Sequence, residues 1–459
     1  MKQTHEQFKK ILRGLFYFLL ISGETAVFIT VWILFYNGNL ANPFLGKGNC
    51  FFALVYFIFF LIFLRSFDGL KLGTYRKSNL MIAQVLATLS TVFISYLQII
   101  LLSAKITVNP LPLLMVLPAD FLLIFLVVFL GDFVLKKAFP ARKTLIIYDS
   151  YKPDTFIQKV TKRKDKFVLD EVVNISVGME ELKNKIPQFE SIILFDINAI
   201  DRNKILKVCF ENDIRTYTTT KVSDILVRGS EQLHIFDTPL LLYRNIGLTF
   251  EQRLTKRFMD IVLSSILLVL TSPIFLISAI AIKCYDGGPV FFRQDRRTLN
   301  GKVFSIHKFR SMIVDAEKDG LSHPAEQDDK RITPVGKVLR ATRMDELPQL
   351  IDIFKGDMSL VGPRPERIEH VEQYAQEVPE FLYREKIRGG LTGYAQLYGK
   401  YNTSPYDKLQ LDLMYIQKYS LLLDIKLILM TLKIMFIKES TEGFSEEESK
   451  KIGDKSKGN

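Results

Sequence analysis

Long apolar runs and short mixed segments follow one another along the chain and divide it before any motif is considered. Four apolar stretches come first, at about residues 11–36, 51–67, 80–104 and 111–135. Each is long enough, or nearly so, to cross a hydrocarbon core. The second is the shortest and would tilt less or extend at its ends. From about Thr144 the pattern changes to short buried runs separated by amphipathic ones. Residues 145–148, 171–175, 191–195 and 215–217 read as strands, and 154–164, 179–185 and 202–212 as helices. This alternation predicts a parallel, Rossmann-like sheet. A fifth run, 258–282, is apolar on every face and again of spanning length. Beyond it, 290–297 and 303–312 read as strands paired through Asn300-Gly301. Residues 421–438 form an apolar helix with Lys426 and Lys433 on one face, suited to a membrane surface or to a core. The class expected is a mixed membrane protein. A four-helix transmembrane bundle (1–140) precedes a Rossmann-like α/β middle domain (141–248). A second α/β domain (249–440) carries a membrane helix at 255–285 and interfacial amphipathic helices, and a charged tail (441–459) is expected to be disordered.

Composition agrees with this division. The chain has 459 residues, 48% of them hydrophobic, and the apolar residues are clustered rather than spread. The net charge of +12 reflects basic loops facing anionic lipid; no zinc-finger spacing or basic helix-turn-helix pattern points to nucleic acid. Lys9, Lys10 and Arg13 precede the first run. Arg65, Lys71, Arg76 and Lys77 lie between the second and third, and Lys136, Lys137, Arg142 and Lys143 follow the fourth. The other two loops carry only Lys47 and Lys105, so both ends of the bundle are expected in the cytoplasm. No small-residue cleavage site follows the first run, which therefore reads as an anchor. Cys50, Cys209 and Cys284 lack metal-ligand spacing and read as isolated thiols. Glu24 and Asp120, near or within the spans, serve either function or helix–helix hydrogen bonding. The first strand of the middle domain leads into Asp149-Ser150-Tyr151-Lys152-Pro153, with no glycine to admit a pyrophosphate. A docking or oligomerisation module fits better than a dinucleotide site.

The fifth run is flanked by Lys256 and Arg257 before it and by Lys283, Arg293, Arg296 and Arg297 after it, so both flanks look cytoplasmic. Pro273 removes an amide donor in mid-run, and Ser272 beside it can satisfy freed backbone groups. These features predict a helix that enters, bends at Ser272-Pro273 and returns to the same face. A Pro-kinked spanning helix is the alternative.

The chemistry concentrates downstream. In Arg343-Met344-Asp345-Glu346-Leu347-Pro348-Gln349-Leu350, two adjacent acids precede a short apolar helix. By itself this is an N-cap and a first-turn glutamate. Its neighbours change the picture. Lys308-Phe309-Arg310-Ser311-Met312 puts Lys308 and Arg310 on one strand face. Arg331-Ile332-Thr333-Pro334-Val335-Gly336-Lys337 is another basic turn. In Gly362-Pro363-Arg364-Pro365, two prolines restrict the backbone around an arginine that can be aimed at phosphate.

These residues resemble the bacterial sugar transferases, the monotopic phosphoglycosyl transferases that start polyprenol-linked glycan assembly. The resemblance covers about residues 255–437. It rests on Ser272-Pro273, Lys308-Phe309-Arg310-Ser311-Met312, Asp345-Glu346-Leu347-Pro348-Gln349 and the run 356–365. The upstream spans and middle domain resemble the larger members, which use polyprenyl phosphate and a UDP-hexose for capsule or exopolysaccharide. The resemblance implies that Asp345 is the nucleophile, that Glu346 with Asp345 holds Mg²⁺, and that the helix at Ser272-Pro273 is re-entrant. Lys308, Arg310, Arg364 and Arg340 would bind substrate phosphate. Implied partners are a UDP-hexose (glucose or galactose), polyprenyl phosphate and the bacterial plasma membrane, with homo-oligomers and polysaccharide-assembly proteins as further candidates. One departure concerns the hexose. Larger members have a Pro before Gly390 and a Trp-Gln pair after Gly393, where this chain reads Arg388-Gly389-Gly390-Leu391-Thr392-Gly393-Tyr394-Ala395-Gln396. Two other classes stay open: a membrane-anchored docking protein without catalysis, and an anchored nucleotide-sugar epimerase, against which the missing glycines argue.

Overall fold

The computed structural model describes residues 2–40, 42–103, 108–150, 153–243, 247–314, 316, 329, 331–399 and 403–435. The expected tail at 441–459 lies outside them. The chain divides into two compact units, residues 1–221 and 222–459.

In the first unit, α1 (Lys2–Val31), α2 (Gly46–Ser66), α3 (Lys77–Ser103) and α4 (Leu111–Ala138) pack each against the next, and α1 also against α4. Each is long and apolar enough to cross a membrane. The second helix starts earlier than the apolar run predicts, at Gly46, which brings it to 21 residues. At 1.5 Å per residue that matches a core of roughly 30 Å. One stripe of each helix is turned inward: Phe52, Tyr56, Phe60 and Leu64 of α2 are all buried. Phe28 stacks on Tyr56 with ring centroids 4.1 Å apart. The outer faces are apolar too, with Phe18, Leu34, Phe51 and Leu122 exposed. In water such a surface would be an interaction patch; it suits lipid. Glu24 is buried and accepts a hydrogen bond from Thr88 Oγ1 at 3.2 Å, so this carboxylate links two helices.

The unit continues with β1 (Arg142–Tyr148), α5 (Asp154–Thr161), β2 (Phe167–Asn174), α6 (Met179–Lys185), β3 (Ser191–Phe195), α7 (Ala199–Glu211) and β4 (Arg215–Thr218). The strands form one parallel sheet in the order β2-β1-β3-β4. Alternate residues of β1 serve two cores. Leu145 and Ile147 join Leu182 and Ile205 on one face, and Ile146 joins Val160 on the other. Burial on both faces is what a parallel strand requires. Tyr151 and Lys152 of the turn after β1 lie outside the described residues.

The second unit begins with α8 (Val222–Arg228) and the hairpin of β5 (Glu231–Ile235) and β6 (Thr238–Leu242). Ile225 and Leu248 belong to its core, so contacts place this boundary before α8 rather than at 248. The alternating pattern runs through α8 without interruption, which hides the change of core from the sequence. Next come α9 (Phe250–Asp286), the antiparallel pair β7 (Phe291–Arg297) and β8 (Val303–Phe309), α10 (Pro334–Ala341), α11 (Gln349–Lys355) and β9 (Ser359–Val361). The remaining elements are α12 (Ile368–Glu377), β10 (Gly390–Thr392), parallel to β9, α13 (Tyr394–Tyr398), α14 (Pro405–Gln417) and α15 (Leu421–Met435). The helix α15 turns Asp424, Leu427, Met430 and Lys433 inward, so Lys433 belongs to the core, while Lys426 is only partly buried. Leu422, Ile425 and Leu432 lie exposed on its other side.

The long helix α9 opens with a capping box: Gln252 N donates to Thr249 Oγ1 and Thr249 N to Gln252 Oε1. Where the sequence predicts an interruption, the helix is assigned continuously through Ser272-Pro273. Proline cannot supply the amide that would bond Val269 O, and Ser272 Oγ donates to that carbonyl instead, at 2.8 Å. Both halves of α9 pack on the same unit. Leu263 and Leu268 lie against the core of Leu350, Ile353, Leu360 and Leu427, while Phe275 and Ile282 pack with Phe309 and Leu339. At its start, buried Lys256 Nζ reaches Asp424 Oδ2 at 2.6 Å and Tyr415 Oη at 3.1 Å.

Removing one partner of a buried ion pair strands the other charge, at a cost of about 3–5 kcal/mol. Lys256→Met should therefore lower the thermal midpoint of the detergent-solubilised protein sharply, and Lys256→Met/Asp424→Leu should regain most of the loss. Equal destabilisation of the single and double variants would show that the pair is not what holds α9.

Candidate active site

The two acids sit on a tight turn. Arg343 takes a left-handed conformation (φ 55°), Met344–Glu346 forms a single 3-10 turn, and Pro348 stands at the start of α11. Among the described residues, the Asp345 carboxylate accepts no hydrogen bond and forms no ion pair, so it caps neither turn nor helix. Glu346 differs. Its Oε1 receives Lys308 Nζ at 3.2 Å and Arg364 Nη2 at 2.5 Å, and neither bond reaches Oε2.

Each cation arrives on a fixed support. Lys308 is carried by β8, whose Phe304, Ile306 and Phe309 are buried. The strand is tied to α11 by Asp352, whose carboxylate accepts His307 N at 2.9 Å and lies 2.6 Å from His307 Nδ1. Arg364 follows β9 in a loop pinned on both sides: Gly390 N donates to Pro363 O at 2.8 Å, and Arg296 Nη1 to Pro365 O at 3.2 Å. This loop and the start of β10 approach so closely that a Cβ on Gly390 would fall 2.0 Å from Gly362 N. Only glycine fits there.

Arg340 on α10 donates through Nε to Ser311 Oγ at 2.8 Å and adds positive potential at Asp345. Arg310 is placed differently from Lys308. Strand alternation ends at Phe309, and the buried Arg310 guanidinium pairs with the exposed Asp286 at the end of α9. Its Nη2 is thus held by Asp286 rather than by either of the two acids, while its buried Nη1 has no hydrogen-bond partner among the described residues. Arg331 is likewise engaged, with Asp329 at 2.6 Å, and Thr333 caps α10 through Gly336 N. Behind Arg364, Glu366 pairs with Lys408 at 3.3 Å and Arg384 at 3.8 Å, and Arg384 pairs with Asp412 at 2.7 Å. Sequence reading missed Asp286, Arg296, Asp352 and Glu366. Of these only Glu366, two residues beyond Arg364, had a local signal.

The charges set two carboxylates apart. Burial pushes the Glu346 carboxyl up, but Arg364 and Lys308 together override it and hold it well below the ordinary glutamate range. Burial also raises Asp345, and the Glu346 charge beside it adds to the rise; Lys308, Arg340 and Arg364 oppose it without cancelling it. Burial lowers the Lys308 ammonium, against the pull of Glu346. Glu366 is depressed to about 2: burial raises it, and Lys408 and Arg384 outweigh that. The donor set fits Mg²⁺ of the kind held by one or two carboxylates together with substrate phosphates. No group of three or more His, Cys, Asp or Glu side chains converges among the described residues, so no all-protein cage competes with that arrangement.

Residues 251–438 match the model of the family described as bacterial sugar transferase. The chain is 39% identical over 238 residues to the UDP-glucose:undecaprenyl-phosphate glucose-1-phosphate transferase of Klebsiella pneumoniae, covering 51% of this chain and 49% of the relative. It is 42% identical over 181 residues to the UDP-N-acetylgalactosamine-undecaprenyl-phosphate N-acetylgalactosaminephosphotransferase of Aeromonas hydrophila, covering 39% and 43%. Against the UDP-glucose:undecaprenyl-phosphate glucose-1-phosphate transferase of Caulobacter vibrioides, identity is 41% over 183 residues, 39% of this chain and 68% of the relative. The match thus spans about half the length of the first two relatives.

Arg340 lowers the Asp345 pKa, so its removal must raise it further. Arg340→Gln should therefore raise the pH at which the Asp345 carboxyl ionises, read from its carboxyl carbon resonance in protein labelled at aspartate. An ionisation left unchanged, or moved to lower pH, would show that Arg340 does not act on Asp345.

Proposed function

Because the chain belongs to the bacterial sugar transferase family, we propose that it transfers a hexose 1-phosphate from a UDP-hexose to polyprenyl (undecaprenyl) phosphate. The products are polyprenyl-diphosphate-hexose and UMP, and the hexose is glucose or galactose. This is the first membrane step of exopolysaccharide or capsule synthesis. The observation that carries the reading is the contrast between the acids. Asp345 has no partner among the described residues, while Glu346 beside it is held ionised by Lys308 and Arg364.

An Asp345 oxygen attacks the phosphorus that bears the sugar, the bond from that phosphorus to the UMP oxygen breaks, and UMP leaves. The phosphosugar stays on Asp345 as an acyl phosphate. An oxygen of the lipid phosphate then attacks the same phosphorus and releases the carboxylate. Lys308, Arg364 and Arg340 neutralise phosphate oxygens during both displacements. Mg²⁺ held by Glu346, with Asp345 adjacent, would offset pyrophosphate charge; Oε2 of Glu346 is clear of the bonds from Lys308 and Arg364.

For α9 the proposal is a re-entrant helix, with both ends and the site in the cytoplasm of a plasma-membrane protein. Two observations support it: basic residues flank both ends, and both halves of the helix pack on one unit. The competing reading is a membrane-anchored scaffold without catalysis.

Given labelled UDP-hexose and Mg²⁺ without lipid, the wild-type protein should release UMP and retain the labelled phosphosugar, then lose the label when polyprenyl phosphate is added. Asp345→Asn should never acquire it, and its turnover should fall by orders of magnitude. Label on the Asn variant would move the nucleophile elsewhere, and absence of any turnover would favour the scaffold. Topology has its own test. Lys256 is buried and unsuited to a probe, whereas Arg253 and Arg293 are exposed on the two sides of the run. Single cysteines there, in an otherwise cysteine-free protein, should both resist impermeant reagent applied to intact cells. Labelling at position 293 alone means a spanning helix.

A further inference from the structure

The first unit contains a cavity of about 1040 Å³ that the proposed chemistry does not use. It lies where one end of the helical bundle meets the α/β sheet domain. Six cations line it: Lys9 and Arg13 from α1, Lys136 from α4, and Arg142, Lys166 and Arg215 from the sheet domain. Two of its four acids are committed to bridges. Asp132 is paired with Lys136 at 2.7 Å and Lys77 at 3.2 Å, and Asp165 with Arg163 at 2.8 Å.

Two of the cations, Arg13 and Lys166, line the same cavity and act on each other electrostatically. Arg13 Nε is buried and has no hydrogen-bond partner among the described residues. Its guanidinium lies beside Gly73, whose backbone takes φ 66° there. Burial pushes the Lys166 ammonium down, and the charges of Arg163 and Arg13 push it further, against the opposing pull of Asp165. A buried guanidinium nitrogen without an acceptor and an ammonium destabilised by like charge both gain from an anion placed between them. One wall is apolar: Leu135 and Phe139 continue the line of α4 out of the bundle. With α1 and α4 in a bilayer, that wall and those cations lie at the depth of the lipid headgroups.

We propose that this cavity is a binding site for a phosphate-bearing ligand, with the phosphate between Arg13 and Lys166 and any acyl or prenyl chain along Leu135 and Phe139. Its two possible sources are an anionic lipid of the bilayer and a soluble phosphate from the cytoplasm. The site belongs to the first unit and does not depend on the transferase reading.

The test uses the full chain in a neutral detergent and native mass spectrometry. One arm offers phosphatidylglycerol against phosphatidylcholine, and the other offers UMP and inorganic phosphate. Retention of phosphatidylglycerol over phosphatidylcholine, or of the soluble anions, is expected in one arm, and the arm that binds identifies the source. Arg13→Gln/Lys166→Gln should weaken it roughly thirtyfold, taking about 1 kcal/mol per cation near a membrane surface. Arg13→Lys/Lys166→Arg, which keeps both charges, should retain binding and so separates a lost charge from a lost fold. Retention that survives the double Gln variant, or none in either arm, overturns the proposal.

Discussion

Everything in the candidate site hangs on Glu346. Its single oxygen Oε1 draws Lys308 from β8 and Arg364 from the loop after β9 to the turn that carries Asp345. Three segments far apart in sequence are thereby fixed around one carboxylate. A charge buried this way is costly alone and stable only with close partners. The same pairing distinguishes the two acids. Glu346 spends its charge on protein cations, and Asp345, one residue away, is left with a raised pKa and no partner among the described residues. In the proposed reaction, a carboxylate without a partner is the one free to attack phosphorus.

The membrane helix supports this arrangement from beneath. Arg257 donates to Ile353 O and Phe354 O, both at 2.7 Å, and so caps the last turn of α11. One turn later, Asp260 Oδ1 accepts Ser359 Oγ at 3.0 Å and Leu360 N at 2.9 Å. Between those anchors runs Gly356-Asp357-Met358, the stretch that turns the chain from α11 into β9. At the far end of α9, Asp286 holds Arg310 beside Gly288. The helix that meets lipid thus fixes the C-terminal end of α11 and the start of β9, and with them the segments that carry Glu346 and Arg364.

Much of the fold was legible because it rests on periodicity. The parallel sheet was readable from strands such as 191–195, buried on both faces, and the β7–β8 hairpin from Asn300-Gly301, where both residues do take positive φ. The core side of α15 was harder to read. Lys426 and Lys433 suggested a polar face, whereas Lys433 is buried together with Asp424, whose partner Lys256 is 168 residues away. No local pattern carries such a pairing. For the same reason the sequence identified Lys308 and Arg364 as charges in restricted settings but could not separate Lys308 from Arg310. Both sit on one face by strand alternation, and the difference is the acid each one meets: Glu346 in one case, Asp286 in the other.

That difference bears on the cations proposed to bind phosphate. Arg310 commits Nη2 to Asp286 at the end of α9, whereas its buried Nη1 has no hydrogen-bond partner among the described residues. Lys308 and Arg364 share their acceptor, and a phosphate that arrives beside Glu346 meets two cations bound to one oxygen, each with further donor hydrogens. They can turn toward a second anion without abandoning the first. Arg340 has a neutral partner, Ser311, and gives up least on meeting a phosphate. Under the proposed function, what each side chain already holds sets how it would meet a phosphate: Arg340 by giving up a neutral partner, Lys308 and Arg364 by sharing, and Arg310 through Nη1 while Nη2 keeps the end of β8 against α9.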